Sequence, residues 1–228
     1  MKKQLKPVFA IGVYFSWWLI VFGTSFLAKH LFSKEGYMLG FYMGILGICY
    51  VLYLLLPAIM DRSNFKSYLE VIGFTLNKHS IALSILLVLT FTGSIIYIKT
   101  SMNSSILPGL VGLNYLIYMQ PPLVEELLFR GIIPACFNNY PTYISGCISI
   151  LLFASLHFRN GIQAILFSAV IGLILFVLRV QIKSLIPGIL IHYIVNSGVT
   201  IALLPLLLLG FLWETYYFIN RIKYAKRT

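Results

Sequence analysis

Apolar residues run through this chain in blocks separated by short polar joints. The blocks approach or exceed the ~20 residues that cross a bilayer core as a helix. They lie at 8–31, 38–60 and 81–98, then more densely at 109–136, 142–158, 161–179 and 185–204; a shorter one at 205–220 begins at Pro205. This pattern predicts an all-α fold, a polytopic transmembrane helical bundle of about eight spans, or seven if Pro205 does not open a last helix. The longest polar stretch, Asp61 to Ser80, interleaves Phe65, Leu69, Ile72 and Phe74 with Lys66, Glu70 and Lys78. That mixture predicts a helix lying partly in the membrane interface. Met1-Lys2-Lys3 before an apolar run resembles a secretory leader, but the run from Val8 to about Leu31 exceeds the roughly 7–15 residues of such a segment and no Ala-x-Ala follows it. It is expected to be a retained first span. No internal repeat or low-complexity segment interrupts the series.

Composition narrows the class further. Of the 228 residues, 60% are hydrophobic and only 10% charged, against about 25% charged in soluble domains. A soluble globule could not cover itself with so few charges, and disordered, collagen-like and disulfide-scaffold classes are excluded with it. The net charge of +11 comes from 17 Lys and Arg against six acids. These cations sit at the chain ends and between apolar runs, where they orient spans rather than bind nucleic acid, so no nucleic-acid partner is expected. Lys2, Lys3 and Lys6 place the N-terminus in the cytoplasm, and Arg62, Lys66 and Lys78 do the same for the second loop. Arg221, Lys223, Lys226 and Arg227 assign the C-terminus to that side too, which calls for an even number of spans. Cys49, Cys136 and Cys147 are scattered without metal spacing and read as small buried hydrophobes.

The acids carry the chemistry. Glu35, Asp61 and Glu70 lie in loops and Glu214 near the C-terminal interface, leaving Glu125-Glu126 adjacent within an apolar run. Intramembrane carboxylates cost a few kcal/mol each and need partners. Arg130 is four residues beyond Glu126, on the same helical face. Glu125 points about 100° away and is the less neutralised carboxylate, so Glu126 is expected to be structural and Glu125 reactive. Pro121-Pro122 just before them predict a helix start or a kink. Two histidines, His30 and His79, are loop-like, whereas His157 and His192 lie in apolar spans. Phe153 precedes His157 by one helical turn, and Asn196 follows His192 by one turn. Consecutive antiparallel spans bring Glu125 and His157 toward one membrane side, and His192 sits roughly 10 Å into a later span at about 1.5 Å per residue.

Around a water these groups have usable chemistry. Glu125 with His157 can deprotonate it for attack on a peptide carbonyl, while His192 and the Asn196 amide donate to the oxyanion. The alternative is a zinc site with Glu125, His157 and His192 as ligands and an open water position. Other intramembrane protease chemistries fail on residues alone. Asp61 is the sole Asp, no His is followed by Glu, and no Gly-x-Ser-Gly occurs.

Glu125-Glu126-x-x-x-Arg130, Phe153-x-x-x-His157 and His192-x-x-x-Asn196, in this order, resemble the CAAX-protease and bacteriocin-processing (CPBP, or Abi) family of intramembrane proteases. The likeness covers about Pro122 to Gly198; the first 100 residues match only as apolar spans. It implies Glu125 and His157 as the water-activating pair and His192 with Asn196 as oxyanion stabilisers, with Glu126, Arg130 and Phe153 supporting. Both metallo- and metal-free mechanisms are described for the family. The implied organisation is N-terminal transmembrane helices at 1–108, a catalytic helical core at 109–204, and a last short span with a basic cytoplasmic tail at 205–228. The implied function is an intramembrane endopeptidase acting on membrane-associated peptides in a multi-pass cell-membrane setting, expected to be a bacterial plasma membrane. Processing of bacteriocins or pheromones, or self-immunity, suits the short chain. The alternatives are a CAAX-type prenyl-protein endopeptidase, a non-catalytic bacteriocin-immunity protein, and a transporter or ion pathway.

Overall fold

The computed structural model describes residues 6–33, 36–60, 64–101 and 113–203. The short span expected at 205–220, the basic tail, Glu35, Asp61, Arg62 and Glu214 lie outside the described residues. Within them the chain is helical and contains no strand. The elements are α1 (Pro7–Leu31), α2 (Tyr37–Met60), α3 (Phe65–Ile72), α4 (Lys78–Ser101), α5 (Leu113–Glu126), α6 (Thr142–Ser155), α7 (Ile162–Ile182) and α8 (Ile186–Asn196). α5 continues through a widened π-helical segment, Leu127–Ile132, into Ile133–Ala135. Four helices (α1, α2, α4 and α7) are long and apolar enough to cross a membrane; α6 and α8 are shorter apolar helices. α3 falls where the interfacial helix was expected.

α5 is the centre of the bundle. It packs on α2 and α8, its π-helical segment meets α3 and α6, and its last turn touches α1. Val124, Leu127, Leu128, Phe129, Ile132 and Ile133 are all buried there, beside Phe153 of α6 and Ile189 of α8. α6 and α7 form an antiparallel pair joined by the turn that carries His157. α4 packs on α8, and Leu87 and Ile194 form a second, smaller apolar core with Val199 and Ala202.

Pro121 and Pro122 lie inside α5 instead of starting it, because the helix already runs from Leu113. The distortion occurs further on, ahead of Pro134. A proline ring clashes with the carbonyl four residues back and offers no N–H; widening the turn relieves the clash. The Ile133 N–H accordingly reaches Leu128 O, five residues back. In that register Pro134 would have to donate to Phe129 O and cannot. The Ser149 hydroxyl from α6 donates to that carbonyl instead. The same device recurs in α2. There Val51–Leu55 is π-helical just before Pro57, the Leu56 N–H reaches Val51 O, and the Tyr68 hydroxyl of α3 donates to Tyr53 O at 2.7 Å. In both helices a hydroxyl from a neighbouring helix donates to a carbonyl within the widened segment, which ties the helices in register.

At one end of the bundle the α3–α4 turn is stapled to the α7–α8 turn. Asn77 Nδ2 donates to Ile182 O and the Thr75 hydroxyl to Lys183 O, both at 2.7 Å, while Leu185 N reaches Gly73 O at 2.8 Å. Gly73 ends α3 with φ +85°, and a Cβ there would run into the Arg179 guanidinium. Gly73→Ala is therefore expected to cost at least the about 1–2 kcal/mol of a left-handed L-residue, read as a lowered thermal midpoint in detergent. Gly93→Ala, where an added Cβ meets nothing within 4 Å, serves as the control and should hold or raise the midpoint. Equal midpoints for the two variants would overturn the assignment.

Candidate active site

The site is built on α5 by the order of its side chains. Glu126 and Arg130 stand one turn apart, and Arg130 Nη1 lies 3.1 Å from Glu126 Oε1. Both side chains are within 1% of full burial. The contact is an ion pair rather than an aligned hydrogen bond, and Arg130 Nε and Nη2 find no acceptor either. The guanidinium carbon sits 3.9 Å from the centre of the Phe153 ring, a cation–π contact between two buried side chains. Gly172 on α7 makes room for this stack; a Cβ there would stand 3.2 Å from both Arg130 Nη2 and Phe153 Cδ1.

α8 brings His192 to the same group. Its Nδ1 is 2.9 Å from Glu126 Oε1, and its Nε2 is 3.6 Å from Glu125 Oε2. An ionised carboxylate only accepts, so the hydrogen on Nδ1 points to Glu126 and the tautomer is fixed by that bond. The Nε2 face is left toward Glu125, too far for a direct hydrogen bond. Glu125 is the more open of the two acids, 13% exposed. Phe153 is the hub of the rings, edge-on to His192 at 5.8 Å and to His157 at 5.3 Å. His157 sits just past the C-terminal end of α6, with Nδ1 3.3 Å from Phe153 O.

The structure therefore gathers Glu125, Glu126, Arg130, Phe153, His157 and His192 from four segments. Asn196 stands apart: it is exposed at the C-terminal end of α8. Sequence reasoning set His192 beside Asn196 and did not join it to Glu126, because that contact bridges two helices 66 positions apart. It also passed over Gln120, which is buried on α5 with Nε2 unpartnered; its signal was a lone amide in an apolar run. A zinc site on Glu125, His157 and His192 would require the three to converge on one point. Among the described residues no three His, Cys, Asp or Glu side chains are placed to hold an ion, and His192 Nδ1 is already engaged.

Residues 106–198 match a family model described as type II CAAX prenyl endopeptidase Rce1-like, a stretch that holds every one of these side chains. Over that stretch the chain is similar to this CAAX prenyl endopeptidase family, which supports the resemblance to the CPBP proteases. No curated protein and no solved structure matches the chain. The similarity covers all three motifs, and the packing adds how they are joined mechanically: Arg130 holds Glu126, and Glu126 holds His192.

Removing one member of a buried pair strands the other. Arg130→Met is expected to destabilise the protein by about 3–5 kcal/mol, read as a lower thermal midpoint and reduced yield in detergent. Arg130→Met combined with Glu126→Gln should recover much of that loss. A double variant no more stable than Arg130→Met alone would show that the pair is not what the guanidinium stabilises.

Proposed function

We propose that this protein is an intramembrane endopeptidase that hydrolyses a peptide bond with water activated at Glu125. The observation that carries the reading is the division between the two acids. Glu126 is consumed by Arg130 and His192, whereas Glu125 is partly open and faces His192 Nε2. Glu125 takes a proton from water, and the water oxygen bonds to the peptide carbonyl carbon. The C–N bond then breaks, and Glu125 returns the proton to the leaving amine. His157, edge-on to Phe153, assists in orienting the water. For His192 Nε2 to donate to the oxyanion, the ring must carry both protons. His192 and Arg130 then balance Glu125 and Glu126, so that the site is neutral overall. Asn196 is assigned as a second oxyanion donor, reached when substrate draws the end of α8 inward. Metal-bound water is the competing chemistry, and zinc analysis separates the two.

The substrate is proposed to be a membrane-associated peptide with an apolar portion. A wholly apolar cavity of about 330 Å³ lies between α4 and α8, lined by Leu87, Phe91, Met119 and Tyr193 among others. Tyr193 adjoins His192 in the chain, so an apolar group lodged there would leave its peptide beside the site. Two branches fit: trimming of a prenylated C-terminus, and processing of small bacterial peptides such as bacteriocins or pheromones. The setting is proposed to be a bacterial plasma membrane crossed by about eight spans.

The test is cleavage of a prenylated CAAX peptide and of apolar bacterial precursor peptides by protein reconstituted in vesicles. Glu125→Gln and His157→Ala are expected to lose about 10²–10⁴-fold in rate while keeping the wild-type thermal midpoint. Full cleavage by both variants would sink the reading; protection against a bacteriocin that persists in Glu125→Gln would select a non-catalytic immunity protein. Zinc at one equivalent in the wild type, lost in His157→Ala and His192→Ala, would replace the metal-free mechanism with a metal-bound water.

A further inference from the structure

A second cavity, this one with polar walls and of about 160 Å³, lies between the continuation of α5, the start of α6 and the last turns of α7. Arg130 and Arg179 both line it, with Tyr140, Thr142 and Ser145 among its polar walls, and no acidic residue lines it. The cavity has room for about five waters at ~30 Å³ each, or for a tetrahedral oxyanion and a few waters. Arg130 is 1% exposed, and its Nε and Nη2 have no hydrogen-bond partner. Arg179 is only half satisfied: Nη2 donates to Val71 O at 3.2 Å, and Nε is buried without a partner. The first turn of α6 forms part of the same wall through Thr142 and Ser145, and no side chain caps that helix at its N-terminus. Free N–H groups and the positive end of a helix favour an anion.

One buried and one half-buried guanidinium with spare donors, a helix N-terminus and no carboxylate in the wall share one chemistry. We propose that this cavity is a phosphate-binding site, with Arg179 and the first turn of α6 as its mouth and the buried edge of Arg130 as its floor. Arginine suits the ligand because its planar donors pair with phosphate oxygens. The cavity stands at the end of the bundle where Lys78 begins α4 and Lys183 follows α7, the end that the cation distribution assigns to the cytoplasm. Anionic lipid headgroups concentrate at that surface, so the phosphate has two sources, a lipid headgroup or the free ion. The site shares Arg130 with the network that holds Glu126, but phosphate binding does not depend on the peptidase reading.

The test uses the full chain with binding as its readout. In one arm inorganic phosphate is titrated into detergent-solubilised protein and followed by calorimetry. In the other, retained phospholipid is counted by native mass spectrometry after passage through phosphatidylglycerol vesicles. Binding of inorganic phosphate is expected to identify the free ion as a ligand; phospholipid retained without it identifies the headgroup. In whichever arm binds, Arg179→Gln should weaken binding at least tenfold and Arg179→Lys, which keeps the charge, by less. Val180→Glu, which sets a carboxylate into the same wall from a partly exposed position, should abolish it without touching the Val71 contact. It decides the case if Arg179→Gln does not fold. Wild type that takes up neither phosphate nor lipid would overturn the proposal. So would Val180→Glu protein that binds as well as wild type.

Discussion

A guanidinium cannot be left alone inside an apolar bundle, and the interior of this protein is organised around that constraint. Arg130 is reached by a carboxylate one turn back on its own helix, by the face of Phe153 from α6, and by the bare backbone of Gly172 on α7. None of these compensates the charge by itself. Together they fix three helices against each other at a single point, since moving any of them exposes or strands a charge at a cost of several kcal/mol. His192 arrives on α8 and completes Glu126's hydrogen bonding. The reactive-looking acid, Glu125, is thereby the one the network leaves incompletely paired.

The fully paired and the partly open acid are thus adjacent residues of one helix. Glu126 is held from both sides and is buried. Glu125, one position earlier, is partly open and faces His192 Nε2. A small rotation of α5 would exchange these environments, so the packing of its buried face, Leu128, Phe129 and Ile132 included, decides which acid is paired and which is left open.

Much of this was legible in the sequence where the relation is local. The i, i+4 spacing of Glu126 and Arg130, and of Phe153 and His157, placed those pairs correctly, because helical geometry alone decides them. The apolar blocks located α1, α2, α4 and α7 to within a few residues. They overran α6 and α8, since Leu156, Phe158 and Val199 are apolar yet sit in turns beyond the helix ends. Contacts between helices were not legible: the His192–Glu126 bond, and the convergence of Arg179 with Arg130 on one cavity, depend on packing that spacing does not encode. The prolines misled in an instructive way. Pro121-Pro122 drew attention as a conspicuous pair and are absorbed into α5, while the solitary Pro57 and Pro134 mark the widened turns.

Those widened turns bear on how the chain can vary in length. A π-helical segment holds a residue more than the α-helical path over the same rise. Deleting a residue at 131–132 could return the segment to an ordinary helix with both ends still facing as they do now. The same deletion elsewhere in the helix turns one half by about 100° relative to the other, carrying Glu125 away from His192 or Arg130 away from Phe153. Leu127–Ile132 is thus a slack link beside an otherwise rigid spacing rule, a place where insertions and deletions are absorbed without disturbing the aim of the side chains on either side.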